Sequence, residues 1–267
     1  MPHIIINECN IYYEIHGTGP ETILFSHGLL WSGQLFHKQV AQLQEHYRCV
    51  IYDHRGQGQS EVTQSGYDMD QLTEDAVALI EQLALGKVHV AGLSMGGFVG
   101  RRLAARRPDL VKSLTLMDTS CQPEPFKTKY RLLTWVVRLF GVGSVKNKVM
   151  PIMFGEKFLQ DSGRAEERQY WEAQLTQNTK DIVRAVSGVI DRQGVEDEIR
   201  QITCPVLIMV GTQDVATVPA KAEYIQQQIP GSQLVYIEGA GHSASIEEPE
   251  QINETMEQFL TKVATTA

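Results

Sequence analysis

Val88-His89-Val90-Ala91-Gly92-Leu93-Ser94-Met95-Gly96-Gly97 is the stretch on which the fold turns. An apolar β-branched run leads straight into Gly-x-Ser-x-Gly, and a helix-compatible run from Phe98 to Arg107 follows, closed by Pro108. The order is strand, tight turn, helix. A serine on such a turn takes unusual backbone angles, so the residues two before and two after it must be small, and Gly92, Gly96 and Gly97 meet that need. With 22 glycines and 13 serines in 267 residues, chance alone places this pentapeptide about 0.09 times. The match is weak by itself, and its context carries the reading against the plainer one of a glycine-rich helix start with a surface serine.

Working outward, short apolar runs alternate with stretches of helical period up to about residue 120, the pattern of a mostly parallel sheet covered by helices. Strands are expected over Ile11 to His16, Thr22 to Ser26, Cys49 to Asp53, Lys87 to Ala91 and Ser113 to Met117. Leu72, Ala76, Leu79, Ile80 and Leu83 form one helical stripe, with Asp68 or Asp70 as N-cap and an acidic, solvated opposite face. From Cys121 to Asp197 helix follows helix, which reads as a helical cap inserted after the sixth strand. The α/β rhythm resumes with strands Pro205 to Val210 and Gln233 to Ile237 and a last helix from Pro249. The expected organisation is a core of residues 1–120 and 198–267 around a cap of residues 121–197.

Composition bounds the function. Apolar residues make up 42% and charged residues 21% of the chain, an ordinary globular balance, and the net charge of −8 works against a broad phosphate-backbone footprint, so nucleic acid is not an expected partner. Cys9, Cys49, Cys121 and Cys204 show no Cys-x-x-Cys spacing or paired histidines, so reduced thiols are expected and neither a metal nor a cofactor. The opening Met1-Pro2-His3-Ile4-Ile5-Ile6-Asn7-Glu8 lacks a basic start and a long apolar run, so no signal peptide is read and a cytoplasmic address is the expectation. The most lipid-like stretch, Leu132 to Phe140, is short and carries Arg138, with Arg131 just before it, where a span needs roughly 20 apolar residues; no membrane partner is expected.

A serine hydroxyl needs an imidazole to take its proton as it attacks. Of eight histidines, His242 is best placed, in the loop Glu238-Gly239-Ala240-Gly241-His242 after the last strand. His89 lies within a strand and reads as a satisfied core residue; His54 reads as packing the loop after its strand. The imidazole must be held in one tautomer by a carboxylate at the same sheet edge. Asp214 follows Val206-Leu207-Ile208-Met209-Val210-Gly211-Thr212-Gln213, one strand before the histidine loop. Asp118, after Leu114-Thr115-Leu116-Met117, is a second candidate. Backbone amides would hold the oxyanion: Met95, after the nucleophile, and Leu29, in the loop opened by Ser26-His27-Gly28, with His27 shaping that loop. Asp53-His54-Arg55-Gly56-Gln57-Gly58-Gln59-Ser60 contains Gly-x-Gly but no third glycine, so it reads as a structural loop and not a dinucleotide site.

With these residues in chain order Ser94, Asp214, His242, the chain resembles the α/β-hydrolase family over nearly its whole length. The matching pieces are Ser26-His27-Gly28, Tyr52-Asp53-His54-Arg55-Gly56-Gln57-Gly58-Gln59-Ser60, Gly92-Leu93-Ser94-Met95-Gly96-Gly97, Pro205-Val206-Leu207-Ile208 with Gly211-Thr212-Gln213-Asp214, and Gly241-His242. Within the family the serine motif and Gly211 to Ala220 look most like the 3-oxoadipate enol-lactonase and esterase branch. Enol-lactonases bind a carboxylate-bearing substrate and typically carry Ser-Asn-Ser where this chain has Ser26-His27-Gly28, and the cap here, Trp135 to Phe158, reads as largely apolar. The resemblance therefore implies a serine hydrolase cleaving an ester or lactone of a small, apolar molecule through an acyl-enzyme. Dehalogenases and epoxide hydrolases on this fold use an aspartate nucleophile, against which Ser94 argues. Thioesterases, C–C hydrolases and cofactor-free perhydrolases share the triad, and a small-ligand receptor with slow or no turnover uses the same scaffold. Arg101, Arg102, Arg106 and Arg107, on the helix behind the serine, read as a solvated face.

Overall fold

The computed structural model describes residues 2–266; Met1, at the head of the opening segment, lies outside the described residues. Eight strands form one sheet: β1 (His3–Ile6), β2 (Cys9–His16), β3 (Thr22–Ser26), β4 (Arg48–Tyr52), β5 (Val88–Leu93), β6 (Val111–Met117), β7 (Val206–Gly211) and β8 (Gln233–Ile237). Their order is β1-β2-β4-β3-β5-β6-β7-β8, antiparallel through β4 and parallel from there on. The chain leaves β3 toward β4 on one side and pairs it with β5 on the other, with Ser26 beside Gly92. At such a reversal of strand order a crevice opens beyond the carboxyl ends of the strands.

Strand β1 is the one element missed among the strand expectations. It is a four-residue edge strand with Ile6 alone fully buried, joined to β2 by Asn7 and Glu8 at φ 46° and 60°, the left-handed pair of a tight hairpin turn. A run this short shows no period.

The helices are α1 (His37–Leu43), α2 (Met69–Gln82), α3 (Met95–Arg106), α4 (Lys127–Phe140), α5 (Lys146–Met153), α6 (Glu156–Gln160), α7 (Ala165–Gln177), α8 (Val183–Asp191), α9 (Pro219–Gln228), α10 (Ala244–Glu247) and α11 (Pro249–Thr266). The N-cap of α2 is Asp68, whose carboxylate accepts from the Gln71 N–H at 2.9 Å. Alternate residues of each strand face opposite layers, so Leu24 joins a core with α2, α3 and α9, while Ile23 and Phe25 join one with α1 and α11. Each fully buried Leu, Ile or Phe contributes about 1.5–3 kcal/mol to these cores. The stretch read as a cap holds α4 to α8, all between β6 and β7. Phe154 and Trp171 bring it onto the core by packing against Trp31, with ring centroids 5.8 and 5.4 Å away.

The polar face of α3 differs from its sequence reading. Arg101 and Arg102 are buried, not solvated, because α3 is covered by α2 and by the chain around residues 193–201. Arg102 donates to the carbonyls of Phe98 (3.1 Å) and Gln193 (2.9 Å) and pairs with Asp70, whereas Arg101 donates to Ser120 O through Nη1 alone and its Nε and Nη2 are buried without a partner among the described residues. Arg106 and Arg107 keep about a third of their side chains exposed. On α2 the acidic face opposite the stripe is exposed at Asp70, Glu74 and Glu81 as read, while Asp75, at the edge of the stripe, is buried in a bidentate pair with Arg55 at 2.7 and 2.8 Å.

Removing one partner of such a pair strands a buried charge, which costs about 3–5 kcal/mol, whereas replacing both with apolar groups is far milder. Urea unfolding is therefore expected to show Asp75→Ala losing stability in that range and Arg55→Leu/Asp75→Leu recovering at least half of the loss.

Candidate active site

Ser94 lies between the end of β5 and the start of α3 at φ 52° and ψ −110°, a backbone region that a side-chain-bearing residue occupies at a cost of about 1–3 kcal/mol. The turn closes because its neighbours have no side chain. A Cβ on Gly92 would stand 2.4 Å from Gly96 O, and one on Gly96 would stand 1.8 Å from Ser26 O. The Ser94 carbonyl accepts from the Phe98 N–H (3.0 Å) and the Thr119 hydroxyl (2.8 Å), which hold the strained residue in place.

The loops after β7 and β8 bring Asp214 and His242 to the same edge. His242 Nε2 is 2.9 Å from Ser94 Oγ, and its Nδ1 is 2.9 Å from Asp214 Oδ2. A carboxylate facing Nδ1 puts the ring proton there and leaves Nε2 to accept from the serine hydroxyl. Asp214 also accepts from the N–H groups of Ala216 (2.8 Å) and Thr217 (2.9 Å) and from the Thr217 hydroxyl (2.6 Å). Burial works to raise its pKa, but His242 and the Thr217 donors outweigh it and hold the carboxyl below the usual value.

Asp118 does not reach the imidazole ring. Its carboxylate accepts from the N–H groups of Gly211 (2.8 Å) and Ala244 (3.3 Å), tying the end of β7 to the histidine loop. Burial, reinforced by the charge of Asp214, pushes it well above the ordinary range.

Of the two expected oxyanion donors, Met95 is the first residue of α3, whose N–H has no intrahelical partner. Leu29 follows Gly28, at which a Cβ would stand 3.6 Å from Ser94 Cβ, so this loop runs directly past the serine. Among the described residues the Leu29 N–H has no protein partner, whereas the adjacent Leu30 N–H is taken by Gln57 Oε1 at 2.8 Å. His27 donates from Nδ1 to Gly28 O (2.7 Å) and accepts at Nε2 from the His54 N–H (2.9 Å), while His54 Nε2 meets Ser26 Oγ at 2.9 Å. Burial lowers the pKa of both rings, keeping them neutral braces.

Sequence reasoning missed Gln57 and Glu247. Gln57 sits in the loop read as structural, and its Nε2 also lies 3.7 Å from Met95 Sδ, so it braces both sides of the expected oxyanion pocket. Glu247 is buried, and its carboxylate accepts from Gly241 N (3.0 Å) and Ser243 N (3.1 Å), which flank His242, and from Gly155 N (2.8 Å) at the α5–α6 junction. Position five residues beyond His242 was the one signal available for Glu247, and it carries no chemistry until the loop has folded back on itself.

Ser94 and His242 open onto a cavity of about 180 Å³ walled by α4, α5 and α8, with Val137, Val149, Ile152, Ile182 and Val186 among its apolar side chains. Glu124, Tyr130, Thr134 and Arg192 bring polar atoms to it, and Glu124 and Arg192 pair with each other at 3.2 Å. Part of the wall, with Val137, Val149 and Ile152, falls within the stretch read as apolar and the rest comes from α8 and the start of α4, while the two named ends of the stretch lie elsewhere: Trp135 is 63% exposed, and Phe158 stacks on Phe154 at 4.7 Å. Among the described residues no three His, Cys, Asp or Glu side chains gather as a metal cage would require.

Residues 21–142 match a family model described as alpha/beta hydrolase fold, and residues 173–267 match one described as TAP-like protein. The chain is 26% identical to 3-oxoadipate enol-lactonase 2 of Acinetobacter baylyi, over 89% of this chain and 88% of that one. It superposes on the crystal structure of the enol-lactonase from Burkholderia xenovorans LB400 with a TM-score of 0.91 and 27% identity, covering 97% of this chain and 100% of that one. A thermophilic esterase from Thermogutta terrifontis, solved with malate bound, aligns at a TM-score of 0.90 with 27% identity and 98% coverage of both chains.

Burial, against the pull of three backbone N–H groups, raises the Glu247 carboxyl to about 7 from an ordinary 4.5. A folded-state value above the unfolded one means that its contribution to stability is complete below about pH 4.5 and is lost as pH rises through 7. Glu247→Gln cannot titrate and turns its NH2 against a backbone donor, so its Tm is expected to lie below that of the parent, with the gap narrowing from pH 5 to pH 8. Thermal unfolding followed by circular dichroism across that range checks both the sign and the trend.

Proposed function

The chain is an α/β-hydrolase of the esterase and lactonase branch, and from that premise we propose that it hydrolyses an ester or lactone of a small, largely apolar molecule through an acyl-enzyme on Ser94. The hydrogen-bonded line from Asp214 through His242 to Ser94, at the mouth of an apolar cavity, carries this reading. Ser94 Oγ attacks the carbonyl carbon as His242 Nε2 takes its proton. The Leu29 and Met95 N–H groups hold the oxygen on which charge develops. His242 then returns the proton to the leaving alkoxide, which stays tethered when the substrate is a lactone. Water repeats the sequence in reverse roles and releases the acid. Asp214, ionised by its donors, fixes the tautomer and balances the imidazolium. No step calls for a metal or cofactor.

The stretch of residues 121–197 acts in this reading as a cap that sets substrate shape. Its apolar wall supports aliphatic or aromatic acyl groups over free dicarboxylates, since a carboxylate there finds Arg192 already paired with Glu124 and would be desolvated without a free cation.

On a p-nitrophenyl ester series run beside an enol-lactone, Ser94→Ala is expected to lower kcat by about 10⁶ and Asp214→Asn by about 10⁴. Activity should rise with acyl chain length until the cavity is filled. A fluorophosphonate probe should label the parent and not Ser94→Ala; retention of more than a few per cent of activity by Ser94→Ala, or best turnover on the acidic lactone, overturns the corresponding part of the proposal.

A further inference from the structure

Helix α4, Lys127–Phe140, has no buried residue although it walls the cavity. Tyr130, Leu133, Thr134 and Val137 face the cavity. The opposite side presents Leu132, Trp135 and Leu139, which are 69%, 63% and 57% exposed and recur at the i, i+3, i+7 spacing that makes one continuous stripe. At 100° per residue, Arg131 and Arg138 flank this stripe on one side and Lys129 on the other. Phe126 and Phe140, 63% and 72% exposed, stand at the two ends of the helix.

Charge on this helix is of one sign. Lys127, Lys129, Arg131 and Arg138 are the charged residues of α4, which has no Asp or Glu, in a chain whose net charge is −8. Arg131 has a partner in the exposed Asp191 at 2.6 Å, while Lys127 and Arg138 have no carboxylate partner among the described residues. An apolar stripe containing a tryptophan, rimmed by cations on an acidic protein, is complementary to a surface that is apolar beneath and anionic above. A second copy of this chain offers the apolar match but brings the same cations against themselves.

We propose that α4 seats the protein on an anionic lipid surface, with Leu132, Trp135 and Leu139 set among the acyl chains and the flanking lysines and arginines on the headgroup phosphates. This is attachment in the plane of the interface; among the described residues no helix is long and apolar enough to cross a membrane. Since the inner side of the same helix walls the cavity, the seated protein presents that wall to the lipid phase in which apolar esters accumulate. The proposal goes beyond the hydrolytic reading and does not rest on it.

Of the three tryptophans, Trp31 and Trp171 are buried, so a change in indole emission reports Trp135. The full chain is to be mixed with vesicles of 30% phosphatidylglycerol in phosphatidylcholine, or of phosphatidylcholine alone, and followed by emission and by co-flotation. Expected are a blue shift and at least tenfold stronger partitioning to the anionic vesicles, falling more than tenfold at 0.5 M salt. Trp135→Ser/Leu139→Ser should abolish flotation, and Arg138→Glu should weaken it severalfold, with unchanged circular dichroism and Tm because both sites already face water. Equal partitioning of parent and double variant, or none by the parent, overturns the proposal. So does a blue shift that tracks protein concentration without vesicles and coincides with a dimeric mass. A catalytically silent chain that still floats leaves this inference standing and removes the hydrolytic one.

Discussion

The His242 ring faces a carboxylate and a hydroxyl at the same time, and everything else at the sheet's carboxyl edge is arranged around that bridge. Its three members are separated in sequence by 120 and 28 residues and can meet only because parallel strands end at one rim, so that the turns after β5, β7 and β8 converge. The rim alone is insufficient, since a turn of ordinary geometry would lay Ser94 back along the helix. Strain at φ 52° raises the hydroxyl out of the chain, and the glycines on either side let β5, α3 and β3 crowd together around it.

Three carboxylates, Asp214, Asp118 and Glu247, gather around the His242 loop, and their surroundings set them apart electrically. Asp214 receives four donors including the imidazole and stays ionised. Asp118 and Glu247 are answered by backbone amides alone and are pushed upward by burial, Asp118 further so by the charge of Asp214. Two full charges side by side in a low-dielectric site would repel strongly, so the local arrangement leaves a single low-pKa carboxylate against the ring. The other two serve as ties: Asp118 joins β7 to the histidine loop, and Glu247 joins that loop to the α5–α6 junction. Through Glu247, the helices that wall the cavity and the loop that carries His242 share one buried anchor.

Helix α4 divides two environments across about 10 Å of backbone and side chain. Tyr130, Leu133, Thr134 and Val137 line the cavity, while the stripe through Trp135 is left mostly exposed among the described residues. A helix apolar on both sides would ordinarily be pulled inside, but the basic residues along its flanks hold it at the surface.

Much of this organisation was legible in the linear order of residues. Strands β3 and β8 fall where their apolar runs end, Asp68 caps α2, and Ser94, Asp214 and His242 meet from motifs whose spacing is local: a strand, a glycine-rich turn, a loop after the next strand. What the chain did not disclose is how its buried polar groups are answered. Arg55 meets Asp75 across 20 residues, Arg102 meets the Gln193 carbonyl across 91, and Glu247 meets the Gly155 amide across 92. Sequence determined the elements and the residues that could carry chemistry, because hydrophobic period and turn stereochemistry act over a few neighbouring positions. Only the tertiary structure decided which charges are buried, which carboxylate faces the imidazole and which side of α4 is left bare, because desolvation and hydrogen-bond satisfaction depend on whatever distant surface arrives to cover each group.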